Sequence, residues 1–320
     1  MPVLFDALPG QEVPVGGIAE GFKKLWADSP AKDSRAVQLN LVLHLGRNSS
    51  PPDAQEQFEI TLRFAQRYPC RVVVLCPDFD EQAPPEMRAK IYGECFLGKS
   101  KNDTRCVEFV LLHYTMAVRQ HLENEVSVCL STDMPLYYWA HRFSAVKRLE
   151  DYDYLLTRSQ RIMFDSAVVP PDTFTHPWPN LGAVRDLAYT RTLPLRQNLG
   201  QFLSRYAPAL ITAGLTRVTL RHRAQFGAEA GCLLGWLKKG LARSGADVTT
   251  IAFMVTPVDC PGCLSIEFIY ADAGKSFRWT ADLSKDLAEF SGDLGTGRTT
   301  LATGAHFRAP DLALSEAMFF

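Results

Sequence analysis

Arg71-Val-Val-Val-Leu-Cys76 is an unbroken apolar run closed at each end by proline, Pro69 and Pro77. A run of that length and composition predicts a strand covered on both faces, as in a parallel sheet. Upstream, Val37, Leu39, Leu41, Leu43 and Leu45 alternate with Gln38, Asn40 and His44, which predicts a half-buried strand. Between them, Ser50-Pro-Pro-Asp53 opens a helical pattern through Phe58, Leu62 and Ala65 that stops before Tyr68-Pro69. Its prolines fall early, where a helix tolerates them. Strand, helix, strand predicts a right-handed crossover and an α/β fold.

Outward from this unit the pattern is mixed. Ile18, Phe22, Leu25 and Trp26 recur at helical spacing, and that helix is expected to end near Asp28-Ser-Pro30. Ile91 to Leu97 and Val107 to Tyr114 flank the turn-forming Gly98–Asp103, a hairpin signal. A short helix is expected over 116–125, and strands over Val126–Leu130, Leu136–His141 and Arg161–Asp165. Pro170, Pro171, Pro177 and Pro179 then mark a linker. Two domains follow from this shift, 1–172 and 173–320. The first should be a mixed sheet with flanking helices. The second should be α+β: helices at 181–188 and 194–206, a strand at 216–223, the stripe Phe226, Leu233, Leu234, Leu237 and Leu241, and an antiparallel meander over 248–256, 264–270 and 276–281. Residues 291–304, rich in Gly and Thr, are expected to be a loop.

Composition narrows the function classes. The 34 Lys and Arg nearly balance 35 Asp and Glu, so no global charge favours nucleic acid or an anionic membrane. No apolar stretch approaches roughly 18 residues, and the N-terminus has no signal-peptide pattern, which leads to a cytoplasmic expectation. The eight cysteines are spread along the chain, five of them in apolar or strand-like runs, which predicts buried, reduced thiols.

Few segments could carry chemistry. Gly292-Asp-Leu-Gly-Thr-Gly297-Arg298-Thr299 imitates a phosphate loop but lacks the strand before it and the helix after it. Cys260-Pro-Gly-Cys263 reads as a turn that carries two thiols or as a redox pair. A zinc site would need a second pair, so no metal is expected. Arg217, Arg221 and Arg223 share a strand face with Thr219 and could grip an anion or form a solvated basic face. No G-x-S-x-G elbow and no G-x-G-x-x-G fingerprint occurs, so neither a catalytic set nor a cofactor is expected. Tyr137-Tyr138-Trp139 puts aromatics on both faces of a strand. Within Asp186-Leu-Ala-Tyr-Thr-Arg-Thr-Leu-Pro-Leu-Arg196, Asp186 with Arg191 and Arg196 reads either as an ion pair between domains or as a polar rim around Tyr189 for a partner.

The order of motifs is more specific than any one of them. Tyr68-Pro-Cys-Arg-Val-Val-Val-Leu, Met134-Pro-Leu-Tyr-Tyr-Trp139, Gln160-Arg-Ile-Met-Phe-Asp-Ser166, the Asp186–Arg196 stretch and Gly231-Cys-Leu-Leu-Gly-Trp-Leu237 succeed one another as in the glucose-6-phosphate dehydrogenase assembly protein family, OpcA, which the chain resembles over residues 68–241. Tyr189 and Leu195 stand where that family usually has Trp, Tyr138 stands in its Trp pair, and Gln160 replaces an Asp, as in a divergent member. The resemblance implies a non-catalytic activator that binds glucose-6-phosphate dehydrogenase and favours its active oligomer. Its distinctive residues would be Tyr138, Trp139, Asp165, Ser166, Asp186, Tyr189, Arg191 and Arg196, at a partner surface or between domains. The alternatives are a sugar-phosphate enzyme or sensor using Arg217 and Arg221 with Arg191 and Arg196, and redox modulation through Cys260 and Cys263.

Overall fold

The computed structural model describes residues 4–27, 37–97, 104–260 and 262–320. The expected helix end at 28–30 and hairpin turn at 98–103 lie outside them. The chain forms two compact units, Met1–Leu187 with Leu314–Phe320, and Ala188–Ala313. Residues 173–187, which the sequence reading assigns to the second domain, lie in the first unit, as does the C-terminal segment.

The first unit contains α1 (Leu4–Ala7), β1 (Gln11–Val13), α2 (Ile18–Leu25), β2 (Leu39–Leu45), α3 (Pro51–Arg67), β3 (Cys70–Asp78), β4 (Met87–Leu97), β5 (Thr104–Thr115), α4 (Leu122–Cys129), β6 (Leu136–His141), α5 (Asp153–Arg158), β7 (Arg161–Phe164) and β8 (Val184–Asp186), and α6 (Leu187–Arg191) begins at its end. Its sheet has the order β1-β4-β5-β3-β2-β6-β7-β8. The six strands from β5 to β8 in that order are mutually parallel, and β4 and β1 continue the sheet antiparallel. Taken in chain order, the parallel strands run 3-2-1-4-5-6, a doubly wound arrangement whose order reverses between β2 and β6.

The apolar runs explain the layering. Val72 and Val74 enter one core with Leu41, Leu43, Phe109, Tyr137 and Trp139, against Phe58 and Phe64 of α3 and the C-terminal Leu314. Val73 and Leu75 enter the other with Val42, Val110, Tyr138 and Ile162, against Phe22, Val126 and Leu155. Alternation sends neighbouring residues to opposite faces. Because helices cover both faces, β2 is buried along its whole length. This corrects the half-buried expectation. The polar side chains of β2 are tolerated inside because each is satisfied. Asn40 Nδ2 donates to Ser131 O at 3.0 Å and its Oδ1 accepts from Ser131 N at 2.8 Å. His44 Nδ1 lies 2.6 Å from the Tyr138 hydroxyl, and its Nε2 lies 3.3 Å from that of Tyr114, which in turn meets Tyr152 at 2.7 Å.

Burial keeps the His44 imidazole neutral and lowers its pKa to about 3. This gives a pH prediction. A base whose folded pKa lies below its unfolded one binds fewer protons when folded, so its contribution is complete above pH 6.5 and is lost as pH falls toward 3. Denaturant unfolding at pH 7 and pH 5 should show a total loss of about 2 kcal/mol from this group, about 1.4 kcal/mol for each pH unit below 6.5. His44→Gln should remove that part of the slope. An unchanged slope would assign the acid sensitivity elsewhere.

Two expectations for this unit are corrected. Val126–Leu130 is not a strand; it lies in α4 and the turn that ends it. Leu122, Val126 and Cys129 are all buried, and their spacing is helical. The cysteines are not all thiols: Cys95 and Cys106 are joined by a disulfide, while Cys70, Cys76 and Cys129 are buried free thiols. Cys95 and Cys106 are directly paired in the β4–β5 register. The antiparallel pairing of β4 with β5 brings those two positions together, a relation that the spread of cysteines along the chain conceals.

The second unit contains α7 (Leu193–Leu203), α8 (Pro208–Thr212), β9 (Leu215–His222), α9 (Gly227–Arg243), β10 (Ala252–Pro257), β11 (Cys263–Tyr270), β12 (Ser276–Asp282), β13 (Leu287–Asp293) and β14 (Thr299–Gly304), and α10 (Pro310–Phe319) begins in it. The sheet order is β10-β9-β11-β12-β13-β14, antiparallel except for β10 alongside β9. Val218, Leu220, Ile266, Phe268, Phe277, Trp279 and Phe290 share a core with Leu199, Leu233, Leu237 and Leu241 of the helices. The opposite face carries polar residues, as in a sheet covered on one side. Residues 291–304 are corrected from loop to the end of β13, a turn and β14. Their Gly and Thr content conceals a polar edge strand. Residues 181–188 are likewise not one helix but a 3-10 turn, the edge strand β8 and the start of α6.

Candidate functional site

The carboxyl ends of β2, β6, β7 and β8 bring several of the singled-out residues onto one edge of the first unit. Asp186 ends β8, and Asp165 and Ser166 follow β7. Ser166 donates from its backbone N to Asp186 Oδ1 at 3.1 Å and from its Oγ to Oδ2 at 2.8 Å. Asp165 Oδ1 accepts from Ala167 N at 2.9 Å. The two strand ends are thereby tied, and β8 is fixed as the sheet's edge. Tyr138 and Trp139 lie inside, 0% and 3% exposed. They pack into the two cores on either face of β6 and influence any surface only through that packing.

Where the strand order reverses, an α/β sheet commonly holds a ligand between the loops. Here the loops after β2 and β6 are latched together. Gly46 N donates to His141 O at 2.7 Å and Asn48 N to Arg142 O at 3.1 Å. The Asp53 carboxylate of α3 takes His141 Nε2 and Arg142 Nε, each at 2.9 Å. Burial alone would raise the Asp53 pKa, but the hydrogen bonds and charges of His141 and Arg142 outweigh it and hold it below the usual value. The start of α3 also lacks a phosphate cradle. Pro51 and Pro52 carry no N–H, and Ser50 Oγ already accepts from Asp53 N at 3.4 Å. A pyrophosphate therefore finds neither glycine turn nor backbone donors there.

In the second unit the other half of the singled-out stretch is placed differently. Arg191 donates through Nε to the buried Glu229 Oε1 of α9 at 2.5 Å. Arg196 lies over the Tyr189 ring at 3.8 Å, and donates to Tyr189 O at 3.2 Å. Tyr189 remains 38% exposed. The stack holds its ring in one orientation and keeps a cation beside it. Leu195, by contrast, is fully buried in this unit's core.

The remaining candidates are structurally accounted for. Arg221 Nη1 donates to Glu267 Oε2 at 3.2 Å, and Arg278 binds the other oxygen at 2.5 Å. Neighbouring positions on β9, β11 and β12 thus form an exposed charge ladder, with Arg217 exposed beside it. An anion at Arg221 would have to compete with Glu267. In the imitation phosphate loop, Asp293 Oδ1 already accepts from Gly295 N at 2.8 Å and Gly297 N at 3.1 Å. Cys260 and Cys263 are joined as a disulfide. The sequence reading missed the Asp53–His141–Arg142 latch, whose members are 88 and 89 residues apart. The one available signal was that Asp53 and His141-Arg142 flank the expected strand ends.

Residues 62–184 match the family model described as the glucose-6-phosphate dehydrogenase subunit N-terminal domain, of OpcA type. Over that segment the chain is similar to the OpcA-like glucose-6-phosphate dehydrogenase assembly family. A search of curated proteins finds no match. The OpcA-type segment runs from within α3 to the first residue of β8, so it takes in most of the parallel sheet and the Asp165-Ser166 end of β7. Asp186, Tyr189, Arg191 and Arg196 follow it. Among the described residues no helix is long and apolar enough to cross a membrane.

Proposed function

We propose that this chain is a non-catalytic factor that binds glucose-6-phosphate dehydrogenase and favours its active assembly, in support of NADPH supply by the oxidative pentose phosphate route. The observation that carries the reading is the family match over residues 62–184. The physical basis is linkage: a partner that binds the active assembly more tightly than the inactive one shifts the population toward it. A differential on the order of 1–3 kcal/mol changes the ratio about five- to hundredfold. The test is the substrate concentration giving half-maximal rate of the same organism's dehydrogenase, with and without micromolar chain. A shift supports the reading, and identical curves reject it.

Within this reading, Tyr189 and Arg196 form the contact patch. An exposed aromatic held by a stacked arginine has the composition of an interface hot spot. Tyr189→Ala should weaken binding to the dehydrogenase by roughly tenfold or more, about 1.4 kcal/mol, as measured by biolayer interferometry. Arg196→Lys keeps the charge but loses the planar stack and should weaken it less.

A further inference from the structure

The first unit has an open cavity of about 660 Å³ beside the latched crevice. It lies between the loop after β2, residues 46–51, and the end of β3, residues 77–80, with Leu4 at one side. We propose that it binds a ribonucleoside, free or as its monophosphate. This site is separate from the dehydrogenase-binding role proposed above, and no step of the inference depends on that role.

Three observations carry the proposal. The cavity has the volume of a small-ligand site, for which roughly 300–1,000 Å³ is usual. Asp78 ends the strand next to β2, at the carboxyl edge of a doubly wound sheet, where an acidic side chain can accept both hydroxyls of a ribose. Its Oδ1 already takes Asp80 N at 2.9 Å, so the carboxylate is oriented before any ligand arrives. Phe79 presents a ring with the Arg47 guanidinium 5.8 Å from its centroid, and with Pro51, Pro77 and Leu4 it forms an apolar wall for a planar base.

Charge limits the choice of ligand. Among the described lining residues Arg47 is the only cation, against Asp78 and Asp80. Together with the donor-free Pro51-Pro52 start of α3, that balance disfavours a di- or triphosphate. It suits a neutral nucleoside, or a single phosphate held by Arg47.

The experiment is isothermal titration of the full chain with adenosine, uridine, AMP and 2′-deoxyadenosine. The expected result is saturable binding of at least one ribonucleoside at millimolar concentration or below. Removing the 2′-hydroxyl should weaken it about tenfold, as should Asp78→Asn, the scale of one charge-assisted hydrogen bond. Tighter binding of AMP than adenosine, abolished by Arg47→Ala, would identify the monophosphate, and equal binding would identify the nucleoside. If Asp78→Asn does not fold, the 2′-deoxy comparison and Arg47→Ala, which removes the partner of Phe79, decide the matter on their own. No saturable binding of any of these compounds would overturn the proposal. So would binding unaffected by both the missing hydroxyl and the altered cavity residues.

Discussion

Gly46→Ala should unfold or severely loosen the first unit, with a loss of at least about 3 kcal/mol. A Cβ at Gly46 would lie 2.4 Å from Phe143 N, 2.5 Å from Phe143 Cα and 2.6 Å from Arg142 C. All three are backbone atoms, so no side-chain rotation relieves the overlap. The loops after β2 and β6 would have to separate. That movement breaks the Gly46 N to His141 O bond and pulls His141 and Arg142 from Asp53. Adding a methyl group would therefore undo a network, and the cost should exceed that of ordinary overpacking. Gly235→Ala is the control. Gly235 is exposed on α9 and a Cβ there meets nothing within 4 Å, so the change should stabilise by about 0.5–1 kcal/mol through helix propensity. Denaturant unfolding of both variants checks the pair. A Gly46→Ala protein as stable as the parent would mean that the two loops are not held so close.

Glu229→Ala should destabilise the second unit by roughly 2–4 kcal/mol. Glu229 is almost wholly buried in the first turn of α9 and receives Arg191 Nε. Its removal takes a carboxylate away from a guanidinium whose side chain is only 19% exposed, and the partial exposure places the estimate below the full cost of breaking a wholly buried pair. Arg191 O also accepts from Arg308 N at 2.8 Å, so a shift of Arg191 reaches the segment that leads into α10. Glu229→Gln keeps an acceptor and should cost less. Replacing both partners by apolar residues, Arg191→Met with Glu229→Leu, should recover much of the loss. Thermal and urea unfolding of the three variants distinguish a pair that matters from one that merely forms.

Much of the scaffold was legible because burial leaves a one-dimensional trace. The run at 71–76 and the stripe of Leu233, Leu237 and Leu241 each report which faces are covered. Polar satisfaction at a distance leaves no such trace. Asn40 and His44 look like a solvent face until Ser131, Tyr138 and Tyr114 supply their hydrogen bonds. Val126 to Leu130 is apolar enough for a strand, and only its contacts make it helical. Short polar strands such as β14 lack the apolar residues on which periodicity depends.

The chemistry followed the same division. Asp186 was conspicuous in sequence, but its tie to Ser166 is a pairing across 20 residues. Arg191 was conspicuous too, and its carboxylate on α9 lies 38 residues away. Tyr189 and Arg196 could be read together because seven residues separate two positions on consecutive short helices.

The proposed role is to shift the assembly state of the dehydrogenase, and mass photometry measures that state directly. With this chain added at micromolar concentration, the distribution should gain a species containing both proteins and move toward the dehydrogenase's active oligomer. Tyr189→Ala should reduce that shift. A dehydrogenase distribution unchanged by the chain, with no mixed species, would contradict the account.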